Sequence, residues 1–337
     1  MSVQLGEFRQ KIEKEIRGLL IGPTPPLFGL DAMNAYHMGF ADQKGELRDV
    51  SKGKYMRPIF CMAICAGLGA DPETAVPAAA SLEITHRTSL IFDDIQDVGI
   101  ERNGQPTVWT IWGVNQAINA GLALSCHARL AAQESKNRGI SPETTLEILF
   151  ALENAVINLC RGQYLDLSFG EMPNLTVGDY MRMVEGKTGA LFGAAGECGA
   201  LCAGADPGKV AVARALGINM GIAFQIWDDY LGIWGDEAVV GKTANDLTEK
   251  KRSFPVVLAL ENFPRTMACW LEMKTITPEE AKTIRFWMGN REIDQATRFK
   301  AQEYVNRSRH LLDTLKLSPE WQKLIDQFLS QVVDRKL

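Results

Sequence analysis

The stretch AVPAAASLEITHRTSLIFDDIQD, residues 75–97, decides how the chain is read. It is Ala-rich and apolar at helical spacing, and it ends in three carboxylates, Asp93, Asp94 and Asp97. His86, Leu90, Asp93 and Asp97 stand at i, i+4, i+7 and i+11, so one helical face carries all four. Asp93 and Asp97 lie one turn apart and repel each other. Acidic groups at a helix C-terminus also oppose the macrodipole. A second stretch has the same character. Gly217–Trp227 is a nearly continuous apolar run, with Asp228, Asp229 and Asp236 following it and Gln225 three residues before Asp228 on the same side. Carboxylates in apolar helices are costly unless something cationic compensates them. Hard divalent cations that also hold a phosphate, Mg²⁺ above all, suit such ligands.

Outward from these clusters the pattern stays helical. Helices are expected over residues 3–20, 58–68, 75–97, 113–136, 142–168, 176–203, 207–235, 253–263, 277–289, 293–316 and 318–334. The segment Gly22-Pro23-Thr24-Pro25-Pro26 breaks the first helix from the rest, and residues 43–53 and 99–107 read as loops. Period-2 runs of strand length are nearly absent. The expectation is one all-α domain over residues 1–337, a large bundle whose central helices are apolar on most faces.

Bulk composition excludes several classes. With 46% hydrophobic and 23% charged residues, the 337-residue chain has an ordinary globular profile. A net charge of -5 and the lack of a long basic tract argue against a nucleic-acid surface. Cys61/Cys65 and Cys198/Cys202 have i,i+4 spacing, but in Ala/Gly-rich apolar helices they read as small buried thiols of a reducing compartment. The N-terminus lacks the features of a secretory signal, and no run of eighteen apolar residues is free of polar interruption. The location expected is cytoplasmic, with loose membrane-surface contact if the product is a lipid.

Basic residues recur where an anionic substrate needs them. Lys52, Lys54 and Arg57 form a cationic loop before a helix; Arg102 follows the first acidic cluster; Lys242 and Lys251 follow the second. Lys187-Thr188 sits in Glu185-Gly186-Lys187-Thr188-Gly189, which is not a P-loop because neither the upstream Gly nor the preceding strand is there. Taken singly, each is an ordinary surface charge.

Taken in order, these residues resemble the trans-isoprenyl diphosphate synthases, or polyprenyl synthetases. The resemblance runs from about residue 50 to 260 through Lys54-x-x-Arg57-Pro58, His86-x-x-Ser89-Leu90-x-x-Asp93-Asp94-x-x-Asp97 and Arg102-x-Gly104-x-Pro106-Thr107. It continues through Gly162-Gln163-x-x-Asp166, Lys187-Thr188, Phe224-Gln225-x-x-Asp228-Asp229-Tyr230-Leu231 and Gly241-Lys242. Within that family the chain looks like the bacterial geranylgeranyl diphosphate synthases.

The resemblance implies a type I isoprenoid synthase fold, an antiparallel helical bundle around a central cavity, usually a homodimer. It implies that Asp93 and Asp97 face Asp228 and hold three Mg²⁺ on an allylic diphosphate. Arg102, Lys187, Thr188, Gln225, Lys242 and Lys251 are implied to bind that diphosphate, and Lys54, Arg57 and His86 that of isopentenyl diphosphate. The reaction implied is head-to-tail chain elongation with release of pyrophosphate, Lys187 and Gln225 also counting as catalytic. No protein nucleophile is needed. Family members that stop at C15 carry an aromatic near Thr88; here Thr85, Thr88 and Ser89 are small, so C20 geranylgeranyl diphosphate is expected.

Some positions depart from the family's commonest pattern. Tyr55 stands for an Arg, Phe92 for a His, Asn103 for a second Arg, and Gly232 for the last Asp of the second motif. Two other functions are open. A class I terpene cyclase or lyase would keep the Mg²⁺ site without needing isopentenyl diphosphate, against which Lys54, Arg57 and His86 argue. A non-catalytic partner subunit would have no use for Asp93, Asp97 and Asp228.

Overall fold

In a computed structural model the described residues are 2–21, 27–48, 53–172, 174–235 and 245–333. In chain order the helices are α1 (Ser2–Leu20), α2 (Gly29–His37), α3 (Met56–Gly67), α4 (Val76–Gln96), α5 (Val108–Trp112), α6 (Val114–Gln133) and α7 (Pro142–Ser168). They continue as α8 (Val177–Val184), α9 (Ala190–Cys202), α10 (Pro207–Trp234), α11 (Phe254–Asn262), α12 (Pro264–Glu272), α13 (Pro278–Gly289), α14 (Ile293–Leu315) and α15 (Pro319–Val333). The all-α expectation holds. The only sheet among the described residues is a hairpin, β1 (Glu101–Arg102) against β2 (Gln105–Pro106).

The chain forms two compact units, Met1–Glu153 with Ala195–Val210, and Asn154–Ala194 with Ala211–Leu337. In the first, α4 packs against α1, α3 and α6. Every residue of α4 from Val76 to Thr85 is buried, which is why this stretch carries Ala and Leu on all faces instead of an amphipathic stripe. Asp71 starts the preceding turn by accepting the Glu73 backbone N–H at 3.0 Å, and Pro72 and Pro77 occupy first-turn positions that need no N–H donor. The thiols of Cys61, Cys65, Cys198 and Cys202 are buried, and burial pushes all four above the ordinary thiol range.

In the second unit, Phe169, Tyr180, Val184, Ile226, Trp227, Tyr230 and Phe254 share one core cluster. Trp227, Tyr230 and Trp234 stack in succession along α10, with ring centroids 5.0 and 5.1 Å apart. Thr176 with Asp179 and Thr277 with Glu280 close capping boxes on α8 and α13. Among the described residues α10 alone is long and apolar enough to cross a membrane, but half of its apolar window is buried inside the protein.

The structure corrects several of the expected elements. Helices α2, α5 and α12 were not anticipated. The helix expected over 176–203 is interrupted by a π-helical turn at Glu185–Gly189. The loop expected over 99–107 holds the hairpin, whose Asn103 (φ 53°) and Gly104 (φ 75°) both adopt the left-handed backbone of a two-residue turn. Asn-Gly is the strongest local signal for such a turn.

Candidate active site

Helix α4 brings the first acidic cluster to its C-terminal end. Asp93 is half-buried and Asp97 exposed, whereas Asp94 is 3% exposed. The β1–β2 hairpin folds Arg102 back onto Asp94, with Nε and Nη2 donating to Oδ1 at 2.8 and 2.6 Å. Burial pushes the Asp94 carboxyl up, and the Arg102 charge works against that shift. Thr107 and the Trp109 indole both donate to the Gly99 carbonyl at 2.8 Å, which clamps the loop around the hairpin.

The cationic residues of this unit form a second group. Gly53 lies so close to Arg87 that a Cβ there would stand 2.2 Å from Nη2. Arg87 is buried and paired to Glu83 one turn earlier, Nε to Oε1 at 2.8 Å. Burial, then the charges of Arg57, Arg87 and Arg102, pushes His86 well below the ordinary imidazole range. Burial likewise pulls Arg57 down to about 10, still charged at neutral pH. His37 is pushed down to about 3 by burial, so its neutral ring donates from Nε2 to the Arg87 carbonyl at 2.7 Å. Lys54 is exposed. Arg87 belongs to this cluster but escaped the motif reading; a charged residue four after Glu83 in an apolar helix was the available signal. Tyr55 is 2% exposed with φ 50° and Arg9 over its ring, so it is a core residue and not a substrate cation's replacement.

Thr85 and Thr88 are buried and Ser89 half-buried, upstream of Asp93 on α4. Thr88 and Ser89 donate to the backbone carbonyls of Ile84 and His86, both at 2.8 Å. Their hydroxyls are thus satisfied inside the helix. Phe92 packs on Gly121 of α6, where a Cβ would meet the ring at 2.6 Å.

In the second unit the candidate residues gather around α10. Asp228 is half-buried and Asp229 is 2% exposed. Asp229 accepts from the Tyr180 hydroxyl at 2.6 Å, the Phe254 backbone N–H at 2.8 Å and Gln225 Nε2 at 2.9 Å. Gln225 Oε1 accepts from the Thr188 hydroxyl at 2.9 Å. Lys251 Nζ lies 4.0 Å from Asp229. Burial alone would lower its ammonium, but Asp229, Asp246, Asp228 and Asp166 outweigh burial and raise it.

Glycines make these approaches possible. A Cβ on Gly162 would stand 2.1 Å from the Lys187 backbone N, and one on Gly186 would stand 2.6 Å from the Asn158 carbonyl. The crossing of α7 with the π turn brings Lys187 to Asp166, Nζ to Oδ2 at 2.5 Å. On the other side a Cβ on Gly221 would stand 2.9 Å from Gly189 Cα, so α10 lies against Thr188 and Gln225 can reach it. Gly232 has a different neighbour. A Cβ there would be 2.4 Å from the Asp246 carboxylate, a buried group the motif reading overlooked. Lys242 lies outside the described residues.

The donor set suits magnesium. Among the described residues no three acidic, His or Cys side chains could enclose a metal by themselves. Mg²⁺ is commonly held by one or two carboxylates plus substrate phosphate oxygens and water, a requirement that the one-turn pair Asp93 and Asp97 on α4 fits by its chemistry, as does Asp228 on α10.

Comparison with known proteins agrees with this geometry. Residues 47–287 match the family model "Polyprenyl synthetase". The geranylgeranyl diphosphate synthase of Mycobacterium tuberculosis is 39% identical over 69% of this chain and 66% of its own length. The geranylfarnesyl diphosphate synthase of Aeropyrum pernix is 34% identical over 84% of this chain and 90% of its own. A (2E,6E)-farnesyl diphosphate synthase of Mycobacterium bovis is 36% identical over 72% of this chain and 67% of its own. The chain thus spans about two thirds of the length of the mycobacterial relatives. The crystal structure of a polyprenyl synthetase from Streptomyces coelicolor superposes with a TM-score of 0.89 at 28% identity, covering 98% of this chain and 99% of that one. That of the geranylgeranyl pyrophosphate synthetase from Pyrococcus horikoshii gives 0.88 at 28% identity, covering 99% and 98%. The chain therefore belongs to the polyprenyl synthetase family of prenyltransferases.

Proposed function

We propose that this chain joins isopentenyl diphosphate to an allylic diphosphate, head to tail, and releases pyrophosphate, with C20 geranylgeranyl diphosphate as product. The observation that carries the reading is the division of labour in the two Asp-Asp pairs. In each, the second carboxylate is buried and held, by Arg102 in one and by Tyr180, Phe254 and Gln225 in the other. The first, Asp93 or Asp228, is left partly open to the surface.

In this reading Asp93, Asp97 and Asp228 hold magnesium on the allylic diphosphate. When bound, the metal supplies Lewis-acid neutralisation of the departing phosphate charge. Arg102, Lys187, Lys242 and Lys251 add positive charge to that group. The C1–O bond breaks with its electron pair on pyrophosphate. The isopentenyl double bond then forms the new bond to C1, and the released pyrophosphate takes up the proton whose loss restores an alkene. Lys54, Arg57 and His86, with Arg87 beneath them, hold the isopentenyl diphosphate. His86 takes part as a neutral hydrogen-bond donor, as its depressed basicity requires. The tail grows past Thr88, Ser89 and Thr85, whose small size supports a product longer than C15.

Residues 1–337 act as a single domain, in the cytoplasm, with loose membrane contact on product release. A homodimer is supported by Val114, Ile118 and Leu122, exposed apolar residues at i, i+4 and i+8 of α6. The test is incubation with Mg²⁺, isopentenyl diphosphate and each allylic starter, with product length read after dephosphorylation. A linear C20 alcohol is expected. Cyclised hydrocarbon from the allylic diphosphate alone, or no turnover, would contradict the reading. Thr88→Phe should shorten the product; an unchanged length would remove Thr88 from the tail's path.

A further inference from the structure

We infer that Tyr180 and Asp229 are positioning residues that fix the polarity of the Gln225–Thr188 hydrogen-bond chain, so that it offers oxygen lone pairs and not hydrogens to the allylic carbon. The inference rests on the prenyltransfer reading above. Its starting point is that a carboxyl group whose oxygens are met by several donors acts as their acceptor. Asp229 is buried, and three donors converge on it from three elements: the Tyr180 hydroxyl of α8, the first backbone N–H of α11 at Phe254, and Nε2 of Gln225 on α10 itself.

The direction of every later bond follows. Gln225 must turn its NH₂ toward Asp229, so its carbonyl oxygen faces Thr188. The Thr188 hydroxyl has one hydrogen and spends it on that oxygen at 2.9 Å. Thr188 Oγ1 then has only lone pairs for any other partner, and so does the remaining face of Gln225 Oε1. An electron-poor carbon is stabilised by such acceptors and destabilised by an N–H or O–H in their place. Pre-set orientation also spares reorganisation as charge develops.

Tyr180 makes the arrangement rigid. Its side chain is fully buried and its ring meets Phe254 edge-on, centroids 5.3 Å apart. The phenol therefore cannot swing away, and its hydroxyl anchors one oxygen of Asp229 while Gln225 uses the other. Burial first, then the Asp229 charge, holds the phenol well above its ordinary ionisation range, so it stays a donor.

The experiment uses the full chain with Mg²⁺. Tyr180→Phe keeps the ring and removes one donor; Asp229→Asn keeps the shape but places an N–H where Gln225 needs an acceptor. Sites are counted by binding of a labelled allylic diphosphate without isopentenyl diphosphate, and kcat is referred to that count. Tyr180→Phe should bind with full stoichiometry and unchanged affinity while kcat falls about tenfold, the loss of roughly one hydrogen bond's worth of stabilisation. Asp229→Asn should lower kcat further, again with binding retained. Unchanged kcat in either variant, or binding lost in step with turnover, would overturn the inference. A second readout needs no activity: deuterium exchange of the Gln225 side-chain amide by NMR, assigned with Gln225→Leu. It should quicken in Tyr180→Phe, and an unchanged rate would overturn the relay. If the unaltered chain turned over no isopentenyl diphosphate, the functional reading alone would fall and this exchange rate would still decide the relay.

Discussion

Asp94 and Asp229 have the same side chain as Asp93 and Asp228, and burial separates their roles. A buried carboxylate left without partners costs several kcal/mol, of order what a small protein can spare. Arg102 meets that cost for Asp94, and three neutral donors with Lys251 nearby meet it for Asp229. Gly232 belongs to the same logic. Judged by the family pattern it is a missing Asp, yet the Asp246 carboxylate already lies over its Cα. Gly232→Asp should therefore fail to improve metal binding. It should lower the thermal midpoint, since it forces two carboxylates into one volume and overpacking alone costs about 1–3 kcal/mol. A midpoint equal to or above that of the parent chain would contradict this. His37 gives a pH prediction. Its folded value of about 3 lies below the ordinary 6.5, so between these pH values the unfolded chain binds the extra proton. The stability it contributes is full above about pH 6.5 and is lost as pH falls toward 3. His37→Gln should flatten the acid side of a midpoint-against-pH curve, and an identical acid slope would remove His37 as a cause.

At the scale of elements, the π turn at Glu185–Gly189 determines where Lys187 and Thr188 point. It lies against α7 through Gly162 and Gly186, where no side chain fits between backbones. In an open helix Gly→Ala gains about 1 kcal/mol. At Gly162 the sign should reverse, because the Cβ would stand 2.1 Å from the Lys187 backbone N. Gly162→Ala is expected to lower both the thermal midpoint and kcat; a stabilised, fully active variant would show that this crossing is not tight. Such features mark the limit of what residue patterns reveal. The long helices were readable because apolar periodicity is a local property, and Asp93, Asp97 and Asp228 because carboxylates in apolar runs stand out. The π turn was not readable, since it differs from an α-turn only in hydrogen-bond offset and arises from a contact with a helix 20-odd residues upstream. Helices α2 and α12 are nine residues each, too short for periodicity to declare itself. Nothing local marks Tyr180, an aromatic on a short helix, or Asp246, an acid outside both clusters, although Asp246 is the residue that explains Gly232.

For the whole molecule, the family match over residues 47–287 and the close superposition on polyprenyl synthetase structures agree with what the residues suggest singly. The proposed reaction requires no nucleophile of this chain. In that reading its side chains bind, orient and supply charge, and the departing pyrophosphate carries the electron pair. That account needs Asp93 and Asp228 to act on one diphosphate. The most direct test is a double-mutant cycle on Mg²⁺-dependent binding of a non-hydrolysable allylic diphosphate analogue, using Asp93→Ala, Asp228→Ala and both together. Each single change should weaken binding at least tenfold, about 1.4 kcal/mol, and the double change should lose much less than the sum. Strictly additive losses, or a single change without effect, would contradict a shared metal-bound diphosphate.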